Sequence, residues 1–180
     1  MRLMKSILAA GMLAVLASGC ATVPETPGDR AKLAVDVQQT ISRMTAADPQ
    51  VGDFMDSAYA YAVFPAIGTG GAGLGGGFGR GQAFRSGEVV GFVSVTEGTI
   101  GAQIGGSNYS EIIFFQDKWT FQKFAAGQFA FQASGSAVAV ESGTGGNVNY
   151  SNGVAVFTQG YKGLKLQAAI GGQQFKYVPD

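Results

Sequence analysis

The sequence predicts an α+β fold that is mainly β, with N-terminal helices packed on a bent, glycine-rich antiparallel sheet or partly closed barrel. Apolar residues recur at three- and four-residue steps before residue 60 and tend to alternate after it. Of the 29 glycines, 25 lie in residues 61–180, a density hostile to helices. Short turn signatures divide that glycine-rich part into strand-length pieces.

In chain order, "MRLMKSILAAGMLAVLASGC" places Arg2 and Lys5 ahead of an apolar run from Ile7 to Ala17, then small residues before Cys20. This is the anatomy of a secretory signal over residues 1–19, too short to span a bilayer as a mature helix. Ala17-Ser18-Gly19-Cys20 resembles the bacterial lipobox, whose cysteine is linked to diacylglycerol, although Ala17 stands where leucine is commonest. The sole cysteine, Cys20, is therefore expected to be a lipidated anchor, and no disulfide forms within the chain. Ala21 rather than Asp points, by the Gram-negative lipoprotein sorting rule, to the outer membrane with the domain in the periplasm. Removing Arg2 and Lys5 leaves ten basic against twelve acidic residues, so nucleic acid is not an expected partner.

Residues 20–28 read as a lipidated, extended tether, and residues 29–180 as one domain. Asp29 as N-cap opens a helix of about four turns with Leu33, Ala34, Val37, Ile41 and Met44 on one face. Asp48 as cap and Pro49 at the first helical position open a second, facing inward with Val51, Phe54, Met55 and Ala58. Residues 21–60 carry six acids and three bases, so Asp53 and Asp56 read as solvated charges on acidic helix faces, not as a catalytic pair. Strands follow at "YAVFPAI", "EVVGFVSVTE", "GTIGAQIGG", "EIIFFQ", "QFAFQASGSAVAVE", "NGVAVFTQ" and "GLKLQAAIGG", with turns at "RSGE", "GGSNYS", "ESGTGGN" and "YSNG". "DKWTFQKFAAG" interrupts them as a short helix that Gly127 can close.

Residues 68–81, "GTGGAGLGGGFGRG", match G-x-G-x-x-G twice. A dinucleotide site needs a helix opening on the last glycine, and a Walker loop needs a following Gly-Lys-Ser/Thr; neither context is present. The informative regularity is Gly71, Gly73, Gly75, Gly77, Gly79 and Gly81 at every odd position, which is the strand period. One face of this strand is bare backbone, expected to lie against a neighbouring strand or an aromatic ring, with a bound acyl chain as the alternative. Gly101 and Gly105 form a shorter copy that is expected to pack on it.

The chain has no histidine, the commonest general acid or base. His- and Cys-built metal sites, the G-x-S-x-G elbow, S-x-x-K and calcium-loop spacings are all missing. The expectation is a protein that is not an enzyme, with no cofactor and no metal; an enzyme would need an acid pair converging in a pocket with raised pKa values.

"ADPQVGDFMDSAYAYAVFPAIGTGGAGLGGGFGRG", "GTIGAQIGGSNYSEIIFF" and "FTQGYKGLKLQAAIGGQQFKY" together resemble the SYLF domain family over roughly residues 30–178. The resemblance implies a lipid-binding module whose bacterial relatives are mostly secreted or lipid-anchored; the acidic N-terminal helix departs from the basic amphipathic segment of eukaryotic relatives. Candidate lipid contacts are sought where cations and aromatics interleave: Lys118, Trp119, Phe121, Lys123 and Phe124, then Arg80 and Arg85, with Lys162 and Lys165 weaker. The expected function is a membrane-anchored envelope lipoprotein whose domain binds phospholipid. The alternative is a non-enzymatic structural protein that docks an envelope protein partner.

Overall fold

The computed structural model describes residues 22–104, 107–128, 130–131, 149–160, 163–165 and 172–180. The signal and lipobox readings, including Cys20, lie outside these residues, as do the strand readings after Phe131 and after Lys165, and Lys162. The elements are α1 (Pro27–Ala47), α2 (Gln50–Ser57), β1 (Ala60–Arg85), β2 (Glu88–Ile104), β3 (Ser107–Phe115), α3 (Lys118–Ala125), β4 (Ala130–Phe131), β5 (Val154–Gly160), β6 (Gly163–Lys165) and β7 (Gln173–Pro179). All seven strands join one antiparallel sheet in the order β4-β7-β2-β1-β3-β5-β6, which is open, with β4 and β6 at its edges. The α+β, mainly β expectation therefore holds, and the sheet is bent but not closed.

The N-terminal segment departs from the expected tether. Thr22 is buried and its hydroxyl lies 2.9 Å from the Ser94 hydroxyl on β2. The first helix is capped by Thr26, not Asp29: Thr26 Oγ1 accepts from the Asp29 amide at 3.1 Å and donates to the Asp29 carboxylate at 2.7 Å. Pro27 fills the first helical position, where a missing N–H costs nothing. Asp29 thus stands at the third helical position, where its carboxylate holds the hydroxyl of the cap and faces the positive end of the helix. Leu33, Val37, Thr40 and Met44 form the buried stripe of α1. Asp48 does prime the second helix, accepting from the Gln50 amide at 3.0 Å, while Pro49 stands just before α2.

The "YAVFPAI" strand and the glycine strand after it are one, because β1 runs for 26 residues, and "EVVGFVSVTE" likewise runs on into the start of "GTIGAQIGG" as β2. Its first part pairs with β3 and its second with β2, and it folds back between them, since Val63 meets Gly81 and Ala66 meets Gly79. Pro65 and Ala66 oppose only Ser110, a bulge that accommodates a proline unable to donate to the ladder. The Ser110 hydroxyl donates to the Pro65 carbonyl at 2.7 Å. "RSGE" is the expected two-residue turn, with Ser86 and Gly87 at φ 53° and 80°, and "YSNG" turns likewise with Asn152 and Gly153 at 51° and 79°.

Alternation divides the core between the two sheet faces. Tyr61, Val63, Phe84, Phe92, Ile112, Phe114 and Phe157 pack under α1 and α2. Phe64, Ile67, Val93, Val95, Ile113, Phe115 and Phe175 pack on the other face with Phe121 and Phe124 of α3. Aromatic rings fasten both layers: Phe54 of α2 lies 5.4 Å from Phe114, and Phe124 of α3 lies 4.7 Å from Phe115.

Candidate functional site

At Gly79 and Gly81 the bare face of β1 is covered by the strand's own first half. Because β1 folds back on itself about residues 72–73, where its register against β2 shifts, the carbonyl edge of Val63 and Ala66 meets the glycine face farther along the same strand. A Cβ on Gly81 would run into the Val63 carbonyl oxygen, and one on Gly79 would stand 2.9 Å from the Ala66 carbonyl and 2.8 Å from Ile67 Cγ1. At Gly77 a Cβ would stand 2.5 Å from Cγ of Glu97. So the covering strand at Gly79 and Gly81 is β1 itself, joined by two side chains from β2, Val95 at Gly79 and Glu97 at Gly77. Gly73 pairs with Gly101 in the β1–β2 ladder, the point at which the two glycine motifs meet, while Gly105 lies outside the described residues.

Glu97 belongs to a polar cluster on the inner face. Glu97, Glu111 and Gln173 are 7%, 0% and 0% exposed. The Tyr109 hydroxyl donates to Glu97 Oε2 at 2.6 Å. Gln173 Nε2 lies 3.0 Å from the Tyr109 hydroxyl, 3.3 Å from Glu111 Oε2 and 3.4 Å from Glu97 Oε2. Burial raises the Glu111 pKa from 4.5 to about 8, opposed by the Gln173 hydrogen bond and assisted by the Glu97 charge. Burial, followed by the Glu111 charge, also pushes the Tyr109 hydroxyl well above the usual tyrosine range. Among the described residues, no three His, Cys, Asp or Glu side chains converge as around a metal.

Sequence reasoning passed over these four residues, although a signal existed. Glu97 continues the inward parity of Val93 and Val95, and Glu111 that of Ile113 and Phe115. Asp53 and Asp56, weighed as a pair, are both exposed on α2.

The candidate lipid contacts separate by helix face. On α3, Phe121 and Phe124 are 7% and 0% exposed and belong to the core, so they cannot reach a membrane in this arrangement. Trp119 is 65% exposed, with the Lys123 ammonium 5.0 Å from its ring centroid, and Lys118 is exposed beside it. Asp117 caps the helix by accepting from the Thr120 amide at 2.8 Å. Arg80 lies over the Phe78 ring at 5.4 Å and lines a groove of about 310 Å³ between β1 and α1, opposite Asp29, Lys32 and Asp36. Arg85 is exposed at the hairpin end. The structure thus gathers Lys118, Trp119 and Lys123 and leaves Arg80 and Arg85 elsewhere. Lys165 pairs with Thr158 in the β5–β6 ladder.

No family model matches the chain. Over 76 residues the chain is 32% identical to Beta cell expansion factor A of Aeromonas veronii, a match that takes in 42% of this chain and spans 29% of that protein's length.

Proposed function

We propose that this chain is a membrane-anchored envelope lipoprotein whose domain contacts phospholipid through the outer face of α3. The observation that carries the reading is Trp119, the most exposed of the large apolar side chains named among the described residues, flanked by Lys118 and Lys123. An indole seats at the headgroup level of a bilayer, and lysine stems lie along apolar surface while their ammonium groups meet phosphate. The inward face of α3 is fixed by Phe121 and Phe124, so the helix presents Trp119 without having to unfold. The SYLF resemblance and the lipobox at Cys20 support the same reading from the sequence.

Glu97 and Glu111 supply the acid pair an enzyme would need, but both are buried, which favours a binding protein. The test mixes a form with Cys20 removed with anionic and neutral phospholipid vesicles at rising salt. Sedimentation with the vesicles, weakened by Trp119→Ala, is expected. Protein that remains in the supernatant with every composition overturns the lipid reading and leaves docking of a protein partner in its place.

A further inference from the structure

The inner cluster of Glu97, Tyr109, Glu111 and Gln173 holds more acceptors than donors. With both carboxyl groups ionised, as cation binding requires, its side chains offer one hydroxyl proton and two amide protons, and these face Glu97 Oε2, the Tyr109 hydroxyl and Glu111 Oε2. Glu111 Oε1 and Gln173 Oε1 are left buried with no hydrogen-bond partner. The glutamine is an observation separate from the charges: a neutral, fully buried side chain whose amide nitrogen sits among the other three members while its carbonyl oxygen meets no donor. Among the described residues neither carboxylate forms an ion pair. Buried unpaired acceptors and uncompensated carboxylates are both costly, and a bound cation relieves both together.

Gly77 makes the room. Its missing Cβ is what allows the Glu97 side chain to lie inward, since a methyl there would stand 2.8 Å from Glu97 Oε1.

We propose that these residues form a site for a hard divalent cation of the calcium class, with Glu111 Oε1 and Gln173 Oε1 as ligands and Glu97 as the second charge. Tyr109 is a positioning residue that holds the Glu97 carboxylate. The donors are all oxygen, which suits calcium or magnesium and not a thiolate- or imidazole-seeking metal. Two carboxylates completed by neutral oxygens place the affinity in the weak range, a Kd of about 0.1–1 mM. Nothing in this inference depends on the lipid reading.

The experiment uses the purified full chain, stripped with a chelator and then titrated with CaCl2, MgCl2 or NaCl at matched ionic strength. A rise in Tm of about 3–8 °C is expected in 10 mM CaCl2. Glu111→Gln and Glu97→Gln should abolish the rise while staying folded, because each keeps the side chain's shape and removes a carboxylate that the ion needs. Terbium emission sensitised by tyrosine excitation, displaced by calcium and reduced in Tyr109→Phe, locates the ion beside that ring. An unchanged Tm with every salt, or an equal rise in wild type and Glu111→Gln, overturns the proposal.

Discussion

Replacing Gly81 with alanine is expected to destabilise the protein more than the same change at Gly68, Gly70, Gly76, Gly77 or Gly79 of β1. The new carbon would overlap the Val63 carbonyl oxygen and stand 2.8 Å from the carbon of that carbonyl and 3.2 Å from Phe64 Cα. All three are backbone atoms in a strand held by the ladder to β3, so no rotamer change relieves the contact. Overpacking of this kind costs typically 1–3 kcal/mol, and with immovable backbone as the obstacle the loss is placed at about 3 kcal/mol or more. Even-numbered Gly76 is the control, because a Cβ there would have its nearest contact at 3.5 Å, an ordinary van der Waals distance, and Gly70 would meet nothing within 4 Å. Alanine at either position should be neutral, or stabilising by about 0.4–1 kcal/mol through the unfolded chain. Urea unfolding followed by fluorescence reads the difference: at a slope of about 2 kcal/mol/M, Gly81→Ala lowers the midpoint by roughly 1.5 M. A Gly81→Ala midpoint equal to wild type, or an equal loss in Gly76→Ala, would refute the packing of β1 against itself.

In chelator-treated buffer, stability should fall as pH rises. Folding raises the Glu111 pKa from 4.5 to about 8, so its contribution is fully present below about pH 4.5, declines across the window, and is gone above about pH 8. The linked free energy is roughly 5 kcal/mol, and a pH series of Tm values should lose that slope in Glu111→Gln. On α3, Phe124→Ala should cost about 3–5 kcal/mol while Trp119→Ala stays within about 0.5 kcal/mol; similar losses in the two would overturn the assignment of helix faces. Thr26→Ala should cost about 1 kcal/mol through loss of the cap, visible in thermal unfolding, whereas a comparable loss from Asp29→Ala alone would return the cap to Asp29.

Periodicity alone determined the change from helices to strands. The stripe of Leu33, Val37 and Met44 and the alternation through Val93 and Val95 are local consequences of 3.6- and 2-residue repeats, and both survive in the fold. The two hairpin turns were equally legible, because Ser-Gly and Asn-Gly supply the positive φ angles that such turns require. The helix starts three residues before the cap that Asp29 suggests, since Thr26 and Asp29 both have side chains that can cap and Thr26 stands before Pro27 at the first helical position.

The glycine period told that one strand face was bare, and nothing more. What covers Gly79 and Gly81 depends on a fold-back of β1 about residues 72–73 and on a contact between residues 63–66 and 79–81. The gathering of Glu97, Tyr109, Glu111 and Gln173 is likewise non-local: three strands bring them within hydrogen-bonding reach across up to 76 positions in the chain. Their parity was written in the sequence, but their convergence was decided by strand order and register, which couple residues through space and leave no short-range repeat to read.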